Sequence, residues 1–163
     1  DHWALGHFNS TQLCGAVQAR YRRARKALGC ATADPTAENF HAFRTEAKTL
    51  WYQVRILRPI NPIVLKNLSE DLGSLGNLLG RAHDLNFLRE RLRMEDGESA
   101  WQREAQELLT VIETSQSNLQ RDAAELGQHF FAERPRDFGA RLASWLNAWE
   151  GRASPSIAVT VVR

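Results

Sequence analysis

Apolar side chains recur at intervals of three and four residues along most of the chain, which is the spacing of one face of an α-helix. The intervals predict five helices, at about residues 10–28, 36–58, from 65 to beyond 90, 99–130, and from Pro135 onward. Turn residues and prolines separate them, and a proline at a first helical position is favourable. The pattern therefore predicts an all-α protein, an antiparallel helical bundle of four to five helices.

The same spacing predicts which side chains face the core and where the bundle ends. For the last two helices the inward residues are Trp101, Ala105, Leu108, Ile112, Leu119, Ala123 and Leu126, then Phe138, Leu142, Trp145 and Trp149. Glycines 73, 76 and 80 interrupt the third helix and lower its propensity, so we expect close packing against a neighbour to compensate. We expect one bundle over residues 1–153. In the tail 154–163 apolar residues occupy alternate positions. This pattern is consistent with a short strand, with an edge strand swapped between chains, or with a disordered end.

Composition narrows the class of protein. Hydrophobic residues make up 43% of the chain and charged residues 25%, which is typical of a globular domain. No apolar run approaches the roughly 20 residues that span a bilayer, and no signal-peptide pattern opens the sequence. Two cysteines are too few for a disulfide framework. We expect a cytoplasmic protein that is not bound to a membrane.

Charge is distributed unevenly although the net charge is only +2. Residues 20–58 hold nine Lys or Arg against three Asp or Glu, and residues 90–133 hold four against ten. Such asymmetry predicts a basic and an acidic region in solvent, unless the two regions face and neutralise each other. Five of the cations lie in residues 20–26, and we expect some of them to flank the side on which the second helix packs.

The second helix carries polar residues along one side. On a helical wheel of about 100° per residue, one arc of the second helix is apolar and predicted to be buried: Phe40, Phe43, Ala47, Leu50, Trp51, Val54 and Leu57. Directly beside it, within about 80°, fall His41, Arg44, Lys48, Tyr52 and Arg55. We call these five residues the basic stripe. Its like charges repel one another, and phosphate oxygens would relieve the repulsion, since Arg offers a planar fork and Lys a point charge. The stripe predicts a polyanion site, although a solvated or salt-bridged face has the same pattern.

Three segments, in this order, resemble the signature of the CHAD family of histidine-bearing α-helical domains. They are YRRAR at 21–25, HAFRTEAKTLWYQVR at 41–55 and LLGRAHDL at 78–85, and FAERPRDF at 131–138 resembles the family's closing helix junction. The resemblance covers about residues 10–150. It implies a helical bundle that binds inorganic polyphosphate through basic residues and has no catalytic activity.

Matched by position, the resemblance implies phosphate contacts at Arg44, Lys48 and Arg55, joined by Arg22 and Arg25. His41 would be a phosphate-facing donor or a helix-positioning group, and His83 with Asp84 is structural or ligand-binding. The expected polyphosphate site is therefore Arg22, Arg25, His41, Arg44, Lys48, Tyr52, Arg55, Arg81 and His83.

Two departures from the family pattern bear on that site. Members often have a further basic residue at the position of Trp51, so we expect a less charged site or one that stacks something. Members usually contain two pseudo-symmetric bundles, whereas one is predicted here. The single bundle is consistent with a half-length member of the family, with a fragment of a longer protein, or with a homodimer in which two chains complete the pair of bundles.

Other functions find less support in the sequence. Phosphoryl transfer to His41 needs small neighbours, whereas Phe40 and Phe43 are close. Glu38 and His41 form one Glu-x-x-His pair, and a di-iron bundle needs two. Neither a Gly-x-Ser-x-Gly elbow nor a phosphate-cradling Gly-rich loop occurs. We therefore expect no enzyme, no cofactor and no metal. Nucleic-acid binding and a scaffold role toward an acidic partner remain alternatives for the same basic face.

Overall fold

The computed structural model describes residues 10–94 and 99–153, which are almost entirely helical. The α-helices are α1 (Ser10–Ala33), α2 (Ala37–Leu57), α3 (Pro62–Arg93), α4 (Ser99–Phe130) and α5 (Pro135–Ala153). A 3₁₀ turn, Arg58–Ile60, joins α2 to α3. The prediction of an all-α bundle of four to five helices is confirmed. The predicted tail lies outside the described residues, so the division into bundle and tail stays a prediction.

Side-chain caps fix the starts of α2 and α3, the two helices that form the site. The Thr36 hydroxyl accepts a hydrogen bond from the backbone N–H of Asn39 at 3.2 Å. The Asn61 side-chain oxygen accepts one from the N–H of Val64 at 3.3 Å. Each cap satisfies a backbone donor that has no partner inside the first helical turn. Pro62 follows as the first residue of α3, where it lacks no hydrogen bond.

Helices α1 to α4 pack side by side in chain order, each antiparallel to the next. Between α2 and α3, the indole N–H of Trp51 donates to the carbonyl oxygen of Ser69 at 2.9 Å. Between α3 and α4, Arg93 lies 2.9 Å from Glu113. In each pair, residues late in one helix meet residues early in the next. The last helix, α5, returns to pack on α1.

Aromatic residues fill the centre of the core. Tyr21, Phe43 and Phe138 are each at most 1% exposed. The ring of Tyr21 stacks on that of Phe138 with centroids 4.1 Å apart. Within the described residues no helix has the length and apolarity needed to cross a membrane.

Three expectations about the helices are wrong. The first helix continues past Leu28 to Ala33, because Gly29 keeps a helical backbone and Ala31 is buried in the core. Leu108 is 42% exposed rather than inward, because the described part of α4 before Ile112 contributes no buried residue to the core.

Trp149, on the last turns of α5, is 38% exposed, and Leu146 takes the inward position one turn after Leu142. The side chain of Trp101 lies outside the described residues.

Candidate functional site: a basic groove between α2 and α3

The buried face of α2 directs the basic stripe toward α3. Its buried residues are Phe40, Phe43, Ala47, Leu50, Val54 and Leu57, which is the arc predicted from the sequence apart from the half-buried Trp51. Residues next to that arc lie at the edge of the contact between α2 and α3. Arg44 and Lys48 therefore project over the surface of α3 and not into open solvent on the far side of the helix.

A groove of about 800 Å³ lies between the two helices. On the α2 side it is lined by Arg44, Lys48, Trp51 and Tyr52, and on the α3 side by Leu72, Gly73, Gly76, Asn77, Gly80, Arg81 and Asp84. The groove thus brings together three residues of the basic stripe with Arg81 from the third matched segment. A ligand in it would meet cations from two helices.

Glycines keep the α3 side of the groove open. A Cβ atom built on Gly76 would meet no atom within 4 Å, and one on Gly80 would lie 4.0 Å from the guanidinium Nε of Arg44. At Gly73 the nearest atom is the indole nitrogen of Trp51 at 3.4 Å, an ordinary van der Waals contact. The expectation that these glycines allow close helix packing is therefore wrong, because all three positions have room for a methyl group.

The cations of the groove are not neutralised by the described part of the chain. Arg44, Lys48 and Arg81 form no ion pair with any residue that the structure describes. Among the described residues that line the groove, Asp84 alone carries a carboxylate. Uncompensated like charges at close range favour the binding of an anion.

Arg55 lies outside the groove lining, one helical turn from Trp51. Its guanidinium carbon lies 4.6 Å from the centroid of the Trp51 ring, which is the geometry of a cation–π contact. The rings of Trp51 and Tyr52 are 4.8 Å apart. The tryptophan, which itself lines the groove, therefore holds the Arg55 guanidinium beside the groove.

His41 and His83 lie together between α2 and α3, beyond Arg44. Their ring centroids are 5.1 Å apart, and both residues are exposed. Phe40 and Phe43 are buried in the core, so they leave the His41 ring accessible. The pair extends the line of the groove toward the start of α2, although neither histidine lines the groove itself. Within the described residues, no group of three or more metal-ligating side chains converges.

Arg22 and Arg25 are not brought to the groove. On α1, Arg20 lies 2.7 Å and Arg23 3.6 Å from the Glu46 carboxylate of α2, so these two mark the side of α1 that faces α2. Arg22 and Arg25 each follow two residues later, which turns them by roughly 200° to another side of the helix. The cations of α1 that do flank α2 are thus already paired.

A second cavity, of about 400 Å³, lies between α1 and α5 and includes Cys14. Burial raises the pKa of the Cys14 thiol, and the charge of Glu150 raises it further. The thiol is therefore held in its protonated form, which is a poor nucleophile. Among the described residues that line this cavity, Arg136 is the one cation, whereas Arg44, Lys48 and Arg81 line the groove.

The sequence predicts the basic stripe on the α2 side of the groove but not most of the residues on the α3 side. Gly73, Gly76 and Asn77 line the groove, and only the spacing of the glycines on the side of α3 toward α2 could have indicated them. The same spacing predicts close helix packing, and the helical wheel predicts Trp51 on the buried arc of α2. The contacts of Trp51 with Ser69 and Arg55 have no signature in the sequence.

Comparison with known families gives one match. The family model described as the CHAD domain matches residues 1–93, more than half of the 163 residues. The match spans α1, α2 and α3 and so contains every residue of the groove. It ends before the segment 131–138, whose resemblance to the family stays a prediction. A search of the curated proteins and one of the solved structures give no match.

Proposed function

Because the chain belongs to the CHAD domain family, we propose that it binds inorganic polyphosphate in the groove between α2 and α3 and catalyses no reaction on it. The observation that supports this proposal best is the convergence of Arg44, Lys48 and Arg81 on one groove without a carboxylate partner among the described residues. A linear polyanion satisfies several such cations at once.

The physical basis of the binding is electrostatic. Arg44 and Arg81 each offer a planar fork to a pair of phosphate oxygens, and Lys48 offers a compact charge that follows the chain. Each phosphate that the protein neutralises also releases condensed counterions, so affinity should fall steeply with salt. No bond is broken in this scheme, and the groove needs neither an activated nucleophile nor a metal.

The proposal is tested by reversing two charges, Arg44→Glu together with Lys48→Glu, and titrating long-chain polyphosphate at fixed salt. We expect the dissociation constant to rise about 100-fold, since two charge-assisted contacts of roughly 1.5 kcal/mol each are lost. Helicity measured by circular dichroism should not change, because both side chains lie outside the core.

A matched control separates the groove from overall charge. Arg103→Glu with Arg121→Glu makes the same change in net charge on exposed positions of α4. The control should bind nearly as the parent does. Equal binding by the groove variant and the parent would show that the assigned surface is wrong.

Competition between polyphosphate and duplex DNA of equal charge distinguishes the main alternative ligand. The proposal predicts that polyphosphate displaces DNA at equal phosphate concentration. Preferential retention of DNA would favour a nucleic-acid-binding module instead. Weak binding of both would favour a scaffold that docks on an acidic protein.

A further inference from the structure

Trp51 is anchored to α3 and not only to its own helix. Its indole N–H donates to the Ser69 carbonyl oxygen at 2.9 Å. The side chain is therefore held by α2 at its Cβ and by α3 at its ring nitrogen, which fixes the orientation of the ring. One part of this fixed ring lines the groove, and Arg55 lies over its face.

Arg55 depends on this ring for its position. It is exposed, and it forms no ion pair with the described part of the chain. The contact that orders its guanidinium is the one with the Trp51 ring, at 4.6 Å. An unrestrained arginine loses rotamer freedom when it binds a ligand, whereas one that is already ordered loses less.

We propose that Trp51 is a positioning residue that holds the guanidinium of Arg55 at the edge of the groove, so that Arg55 adds a further phosphate contact. The inference rests on the proposed function, because it assumes a polyphosphate chain in the groove. Trp51, although uncharged, would thus contribute to the electrostatic affinity of the site by positioning Arg55. It also extends the bound chain past Lys48 toward the C-terminal end of α2.

The test is the salt dependence of polyphosphate binding, because the slope of log K against log salt counts the phosphates that the protein neutralises. Arg55→Gln should reduce the slope by about 0.7–0.9, the value for one contact. Trp51→Leu, which removes no charge, should shift the slope toward the same value and weaken binding roughly two- to fivefold. The double variant should bind no more weakly than the weaker of the two single variants.

Two further variants separate positioning from stability. Trp51→Phe keeps an aromatic face for Arg55 and should restore most of the slope. Trp145→Leu is the matched control, since Arg141 lies 4.8 Å from the Trp145 ring in a second cation–π contact. That contact is on α5, outside the groove, so its loss should leave the slope at the parent value.

The outcomes are distinct. If Trp51→Leu lowers affinity while the slope stays at the parent value, Trp51 supports the fold alone and the inference is wrong. An unchanged slope in Arg55→Gln would also overturn it, since Arg55 would then contact no phosphate. In both cases the proposed function stands as long as the Arg44 and Lys48 reversal abolishes binding. If that reversal has no effect either, the proposed function fails.

Discussion

Tyr21 joins α1 to the turn between α4 and α5 through one hydroxyl group. The oxygen lies 3.2 Å from the carbonyl oxygen of Phe130 and 3.1 Å from that of Glu133, so its proton is shared between two backbone acceptors. Burial raises the pKa of Tyr21 to about 12, and the charge of Glu133 adds to the shift while Arg25 and Arg141 oppose it. The neutral phenol is thus the form that the fold stabilises.

This shift predicts a loss of stability at high pH. Below the unfolded value of about 10 the tyrosine is protonated in both states, and its contribution is fully present. As pH rises from about 10 through the folded value of about 12, the unfolded state loses its proton first. The free energy of unfolding should therefore fall, by on the order of 1–2 kcal/mol.

Urea unfolding at pH 7 and between pH 9 and 12 measures the effect. Tyr21→Phe should be less stable at pH 7 by about 1–2 kcal/mol, because two partly buried carbonyls lose their donor. In this variant the free energy of unfolding should also not show the fall above about pH 10 that Tyr21 causes. Tyr52→Phe is the control, since Tyr52 is 49% exposed and should leave the decline in place. A decline of equal size in Tyr21→Phe would contradict the assignment.

At the scale of the elements, α2 is the helix that the sequence predicts best. Its buried arc follows from periodicity because a helix with a wide apolar face has one way to face a core. The helices that pack against α2 cannot be predicted in the same way, since the spacing of its apolar residues does not specify which helix covers which edge of α2. The family resemblance groups Arg22, Arg25 and Arg81 with the basic stripe. The fold brings Arg81 of α3 to the groove but not Arg22 or Arg25, and it pairs the α2-facing arginines of α1 with Glu46.

The role of the α3 glycines likewise depends on packing that the sequence does not specify. Helix propensity predicts that each costs roughly 0.5–1 kcal/mol relative to alanine, and a compensating role is a sound inference. The glycines can either allow the facing helix to pack closely or leave open space for a ligand, and the distance to the facing helix decides between the two. No atom lies within 4 Å of a Cβ at Gly76, so the structure assigns the space to the groove.

Gly76→Leu should stabilise the protein and weaken ligand binding. The helix gains up to about 1 kcal/mol from the better propensity of leucine, while the side chain fills the groove without changing its charge. We expect polyphosphate affinity to fall about tenfold, or roughly 1.4 kcal/mol. Thermal unfolding and a polyphosphate titration of the same sample measure the two effects.

Gly29→Leu is the matched control for that substitution. Gly29 is an exposed helical glycine of α1, and a Cβ there also meets no atom within 4 Å. Its replacement should raise stability and leave polyphosphate affinity unchanged. Undiminished affinity in Gly76→Leu would mean that the ligand does not enter the groove.

At the scale of the whole molecule, the described residues of the basic and acidic segments do not neutralise each other through ion pairs. Among the described residues, no ion pair joins a Lys or Arg of residues 20–58 to a carboxylate of residues 90–133. The sequence predicted the asymmetry of charge but left its arrangement open. The basic part has two sides, the groove with Arg44 and Lys48 and the side of α1 with Arg22 and Arg25, and the proposed function assigns the ligand to the groove.

The most direct test of that assignment is a titration of ¹⁵N-labelled protein with polyphosphate, followed by the NMR signals of glycine amides and the tryptophan indoles. The account predicts that Gly73, Gly76, Gly80 and the Trp51 indole shift together, while the amides of Arg22, Arg25 and Gly29 stay in place. Shifts confined to α1, with the groove signals unchanged, would contradict it.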